Sequence, residues 1–216
     1  MSPDGTPPTT LATMPIDRFL DLLASPSPTP GGGGVAALAG SLAAGLISMV
    51  CHLTLGKERY ADVQEEVKSL LAESESLRQE LLRLVDADAQ AFDRIMEGYR
   101  LPKGTEEEKR ARSAHIQEAT LEASRVPLEI ARKCVRVVEL AGPAARITNV
   151  QAIGDVAMAA YLAEGAVRGA VINIDINLRS VKDRAAVDDL NRQAQALLQG
   201  LQEKVNQAIR EGTARL

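Results

Sequence analysis

Hydrophobic positions recur along this chain at three- and four-residue steps, the spacing that gathers them on one face of an α-helix. Ile16, Phe19, Leu20 and Leu23 predict a short amphipathic helix, which Ser25-Pro26-Ser27-Pro28 must end. No formal charge occurs between Asp21 and Lys57, and the run from Val35 to Leu55 predicts a second helix that a solvated surface could not accommodate. On it Ala37, Ser41, Ala44 and Ser48 form a small-residue stripe, with Val35, Leu38, Leu42 and Met49 on another side. Small residues let neighbouring backbones approach closely, so this helix is the expected centre of a bundle. From about Glu58 to Tyr99, Val63, Val67, Leu70, Ser74, Leu77, Leu81 and Leu84 make a heptad seam, continued by Asp88, Ala91 and Ile95.

Thr105 followed by Glu108 reads as a capping box that opens a fourth helix to about Leu140, with Pro127 inside it and Gly142-Pro143 ending it. Asp155 to Ala170 is Ala- and Gly-rich and reads as a close-packed helix, with Glu164 and Arg168 spaced for an i,i+4 pair. Val171 to Leu178 alternates apolar and polar like a strand. A lone strand leaves its backbone groups without partners, and no second strand candidate exists, so we read it as helix. A last helix is predicted from about Asp183 to Arg210. The expected architecture is all-α: a single-domain bundle of long helices around a central Gly/Ala-rich helix, covering residues 14–216 behind a loose tail at residues 1–13.

Composition supports this picture. The chain has 216 residues, 45% hydrophobic but only 2% aromatic, so its core must be built from Leu, Ala, Val and Ile. A net charge of -4 with both signs interspersed offers no basic field for nucleic acid. The uncharged run is long enough to span a bilayer. Ser41, Ser48, His52 and Thr54 within it, and the lack of flanking basic clusters or aromatic belts, argue for a buried helix and no membrane partner. Cys51 and Cys134 have no ligand or disulfide spacing and suit a reduced, cytoplasmic location.

Three features carry candidate chemistry. Pro30 and Gly31 to Gly34 open the second helix with free backbone N–H groups but lack the sequel of a P-loop or a dinucleotide fingerprint. Asp88 places a carboxylate where the seam calls for an apolar side chain, so it has a partner, is protonated, or faces a cavity. Asn173 and Asn177 lie one turn apart on an apolar helix and need partners, either a ligand or neighbouring helices. His52 and His115 have no partner at metal-ligand spacing, and no metal site is expected.

Pro28-Thr29-Pro30-Gly31-Gly32-Gly33-Gly34, followed by Met49-Val50-Cys51, Leu53-Thr54, Gly56-Lys57 and Tyr60, resembles the cyclodeaminase/cyclohydrolase family of tetrahydrofolate enzymes. The resemblance continues through Asp88, Ala91-Phe92, Leu101-Pro102-Lys103, Pro127-Leu128, Asn149, Asp155 and Asn173 to Leu178. Two positions depart from it: Thr148-Asn149 stands where the family usually has Gly-Asn, and Gly154-Asp155 where it has Ser-Asp. The resemblance implies an all-α homodimer with a folate in a groove near the dimer interface, bound by the Pro30 to Gly34 segment, Tyr60, Asn149, Asn173 and Asn177. It implies methenyltetrahydrofolate hydrolysis or the related cyclodeaminase reaction, with a folate as substrate and no separate cofactor. Asp88 is then the expected base or counter-charge and Asp155 the second candidate. Lys57 would donate a proton to the departing nitrogen or hold the glutamate tail.

Overall fold

The uncharged segment becomes the centre of a helical bundle, in a computed structural model that describes residues 10–216. In chain order the α-helices are α1 (Ile16–Leu23), α2 (Gly32–His52), α3 (Gln64–Arg100), α4 (Glu106–Ile147), α5 (Ile153–Leu178), α6 (Arg184–Leu198) and α7 (Leu201–Thr213). Among the described residues there is no strand. Most of the expected tail, residues 1–9, lies outside the described residues. Leu11–Thr13 form a 3-10 turn whose Ala12 amide donates to Asp86 of α3 at 3.2 Å.

The side of α2 that carries Ala37, Ala43, Ala44, Ile47, Val50 and Cys51 is sealed in the core. α3, α4 and α5 surround that side. Length and apolarity alone would let α2 cross a membrane, but 61% of its most apolar window is buried inside the protein. The close approach that small residues permit is visible at Gly40, where an added Cβ would collide with the Cys134 sulfur of α4. Val67, Leu70, Ser74, Leu77 and Leu81 of α3 are buried as the heptad predicts, and Ser74 hydrogen-bonds Ser48 of α2 at 2.8 Å. Thr105 and Glu108 form the expected capping box of α4.

Val171 to Leu178 is helical and continuous with the Ala-rich segment before it, so the two make one helix, α5. Val171, Ile174 and Leu178 turn inward. The Glu164–Arg168 pair closes at 2.7 Å. Three boundaries differ from expectation. α4 does not stop at Gly142-Pro143 but runs to Ile147, because Ala141, Ala144 and Ala145 are fully buried and packing outweighs the one lost backbone bond. Glu58–Val63 forms a 3-10 turn before α3 begins at Gln64. The last helix is two helices, broken at Gly200, whose φ of 68° is left-handed and suits glycine.

Candidate functional site

Because α2 starts at Gly31-Gly32-Gly33-Gly34, no side chain covers its first turn, and the Asp88 side chain from α3 fills that space. A methyl group on Gly33 would fall on the Asp88 carboxylate oxygens. The heptad position predicted to be anomalous therefore places a half-buried acid over a bare helix N-terminus. Burial raises the Asp88 carboxyl above the ordinary aspartate range, and the Gly34 amide, hydrogen-bonding the carboxylate, opposes that rise. Burial prevails, and the group is biased towards a base that titrates closer to neutrality.

Asp88 lines a cavity of about 210 Å³ shared with Pro28, Gly32, Phe92, Asn173 and Asn177. Pro30 precedes it through a cis Thr29-Pro30 bond. The Nδ2 of Asn173 donates to Gly169 O of its own helix at 3.0 Å, and that of Asn177 donates to Ala123 O of α4 at 3.3 Å. Each amide is thus held by one bond, with its carbonyl oxygen unpaired among the described residues. The side chains lining the cavity are apolar apart from those of Thr29, Asp88, Asn173 and Asn177, and none is Lys or Arg.

The other candidates gather elsewhere. α2 is 21 residues long, about 30 Å from end to end, and Lys57, Tyr60, Asn149 and Asp155 belong to its far end. There Tyr60 is buried and its hydroxyl accepts from Val150 N at 3.1 Å. The Asn149 amide N–H donates to Thr54 Oγ1 at 2.8 Å, and its side chain donates to Leu53 O and accepts from Gln151 N. Thr148, one of the two departures, is fully buried and its hydroxyl donates to Ala144 O at 2.6 Å. Asp155 sits in the first turn of α5, where a carboxylate complements the helix dipole. Lys57 is exposed and pairs with no carboxylate among the described residues. Within one chain the structure brings Asp88, Gly31 to Gly34, Asn173 and Asn177 together and leaves the remaining four about a helix length away.

Sequence reasoning placed Ile95 in the heptad seam and Phe92 in the family resemblance without a site role for either, and both wall the cavity one and two turns beyond Asp88. Their one-turn spacing on the Asp88 side of α3 was the signal. It also passed over Arg215, whose guanidinium donates to Ala145 O and Thr148 O and ties the chain terminus to the Asn149 loop.

A helical bundle with an acid and two amides over a glycine-only helix start has the shape and polar groups to take up part of a small molecule. Residues 15–196 match the family described as Formiminotransferase-cyclodeaminase, and the chain belongs to that family. It is 44% identical to a methenyltetrahydrofolate cyclohydrolase of Methylorubrum extorquens over 85% of this chain and 88% of that protein. It is 32% identical to the formimidoyltransferase-cyclodeaminase of Mus musculus over 91% of this chain but 36% of that longer protein. The fold matches the crystal structure of a formiminotetrahydrofolate cyclodeaminase from Thermotoga maritima with a TM-score of 0.83, covering 94% of this chain and 97% of that one at 24% identity.

Proposed function

We propose that this chain is a methenyltetrahydrofolate cyclohydrolase, hydrolysing 5,10-methenyltetrahydrofolate to 10-formyltetrahydrofolate as a cytoplasmic homodimer with no separate cofactor. The observation that carries the reading is the Asp88 carboxylate, half-buried over the glycine start of α2 in a cavity otherwise apolar or amide-lined. The substrate carries a cyclic amidinium cation between N5 and N10. Its methenyl carbon needs an anionic neighbour and an acceptor for the proton of the attacking water. Asp88 meets both needs. Water forms the new C–O bond as one proton passes to Asp88; the adduct collapses with cleavage of the C–N5 bond. Of the two water protons, one ends on N5 and one in solvent, so a cation and water give the neutral formyl product and a proton. In this reading the Asn173 and Asn177 amides hydrogen-bond the pterin edge, and the bare Gly31 to Gly34 backbone takes a flat ring against it.

The cyclodeaminase reaction, which closes the same ring with loss of ammonia, is the second reading, favoured by the 32% identity to the mouse enzyme. Coverage of 88% of the Methylorubrum protein at 44% identity supports the hydrolase. The test follows methenyltetrahydrofolate absorbance with purified protein against uncatalysed hydrolysis, then repeats the assay with formiminotetrahydrofolate. Accelerated loss of the methenyl band supports the hydrolase, and its appearance from the formimino substrate would make the chain a cyclodeaminase. Silence in both, with no folate bound, would leave a non-catalytic helical scaffold, for which the Thr148 and Gly154 departures would be the signature.

A further inference from the structure

Two prolines lie inside α4, Pro127 and Pro143, and each withholds the N–H that the carbonyl four residues earlier would accept. The carbonyls so released belong to Ala123 and Glu139. Glu139 pairs through its carboxylate with Arg136 and Lys204, and among the described residues no side chain reaches its backbone carbonyl. The Ala123 carbonyl, by contrast, accepts from Asn177 Nδ2 of α5 at 3.3 Å. Ala123, Asn177 and Asp88 line the same cavity.

The Asn177 bond is not needed to join the two helices. Gln117 of α4 donates from Nε2 to Ser180 O at 2.8 Å and accepts from Lys182 N at 2.7 Å, so both ends of its amide already hold the exit of α5. Val171, Ile174 and Leu178 add buried apolar packing along the same stretch. What the Asn177 bond does is fix which way the amide faces. A carbonyl oxygen only accepts, so Nδ2 must face Ala123, and Oδ1 is the polar end left over on a residue that lines the cavity. With an ordinary residue at position 127, the helix's own N–H would take Ala123 O back into the ladder and draw it away from Asn177. An interior proline weakens a helix, and at Pro127 the carbonyl it releases is put to use beside the cavity.

We infer that Pro127 is a positioning residue for this cavity: by releasing Ala123 O it locks the Asn177 amide with Oδ1 presented as an acceptor to a ligand N–H. Asn173 is fixed in the same sense, its Nδ2 held by Gly169 O at 3.0 Å. The two amides and the Asp88 carboxylate therefore all offer acceptors, and the ligand edge they suit is one made of donors. The inference rests on the folate reading above for the identity of that edge, the 2-amino and N3–H groups of the pterin. Asn177 then contributes to holding the ring, and the proton transfer stays with Asp88.

The test compares Pro127→Ala with Pro143→Ala, which repairs the same helix away from the cavity. In protein labelled with ¹⁵N-asparagine, the Asn177 side-chain amide signal, assigned by its loss in Asn177→Ala, should move in Pro127→Ala and hold its position in Pro143→Ala. With methenyltetrahydrofolate, Pro127→Ala should raise KM about three- to tenfold, the loss of one hydrogen bond, with kcat within about twofold. Pro143→Ala should alter neither. Adding Asn177→Ala to Pro127→Ala should raise KM no further than either change alone. An Asn177 signal unmoved by Pro127→Ala, an Asn177→Ala protein with unaltered KM, additive losses in the double variant, or an equal loss in Pro143→Ala would each overturn the inference. If the wild type turns over no folate while the Asn177 signal still moves in Pro127→Ala alone, the folate reading fails and the positioning of Asn177 stands.

Discussion

The two ends of α2 treat their polar groups in opposite ways. At the far end, every hydrogen bond of Tyr60, Asn149 and Thr148 closes on the protein itself, and Arg215 adds two more bonds to the same loop. At the near end, glycines replace side chains, Asp88 is half-buried in a cavity whose lining holds no cation, and two asparagines use only one of their bonding faces. A structure built only for stability would not leave a carboxylate in that setting. The comparison teaches that the far end serves to hold helices together, whereas the near end retains unused polar capacity for something outside the chain.

Gly33→Ala strikes the contrast at its closest contact. Its methyl would displace the Asp88 carboxylate, so folate turnover should fall by about 10²-fold or more while overpacking costs about 1–3 kcal/mol. Wild-type kinetics in this variant would break the contrast, because they would mean that the Asp88 position is not critical.

Asp88→Asn sharpens the comparison by separating function from stability. Loss of the base should lower kcat by about 10²–10⁴-fold. Stability should move the other way. Burial raises the folded carboxyl pKa, so the native state holds its proton to higher pH than the unfolded chain does. The favourable contribution is present below the unfolded pKa, about 3.9 for an ordinary aspartate, and is lost as pH rises through the raised folded value. At neutral pH the asparagine variant should therefore melt at or above the wild-type temperature, and its advantage should vanish in acid. The wild-type rate should fall on the acid side with a midpoint above the ordinary aspartate value, and a midpoint at or below that value would remove Asp88 as the base.

Much of this contrast was legible in the sequence because it depends on local pattern. The heptad made Asp88 anomalous, the glycine run marked an uncovered helix start, and the missing second strand settled Val171 to Leu178 as helix. What was not legible depended on distance. Lys57, Tyr60 and Asn149 share motifs with the glycine run, but 21 helical residues separate the two in space. Likewise, the Gly142-Pro143 pair looks like a helix end until Ala144 and Ala145 are seen to be fully buried. Gly200 was a visible break signal that a continuous apolar pattern from Val187 to Ala208 obscured.

At the far end, Tyr60→Phe should leave the buried Val150 N–H unpaired and cost about 1–3 kcal/mol, read as a lower urea midpoint with an unchanged m-value. Its effect on kcat should be smaller than that of Asp88→Asn. A tyrosine that also touched substrate would instead raise KM with little loss of stability, which would blur the distinction between the two ends.

The smallest expected effect tests one of the departures. Gly154 lies in the first turn of α5 with nothing within 4 Å of the position of an added Cβ. The family's serine should therefore fit there without displacing a neighbour. Gly154→Ser reduces the freedom of the unfolded chain and should raise stability by about 0.4–1 kcal/mol, measured as a small rise in the denaturant midpoint. Because Gly154 is a helix away from Asp88 within the chain, kcat should stay within about twofold. A large gain in kcat on restoring the hydroxyl would show that this end also takes part in the reaction, and that glycine here has weakened it.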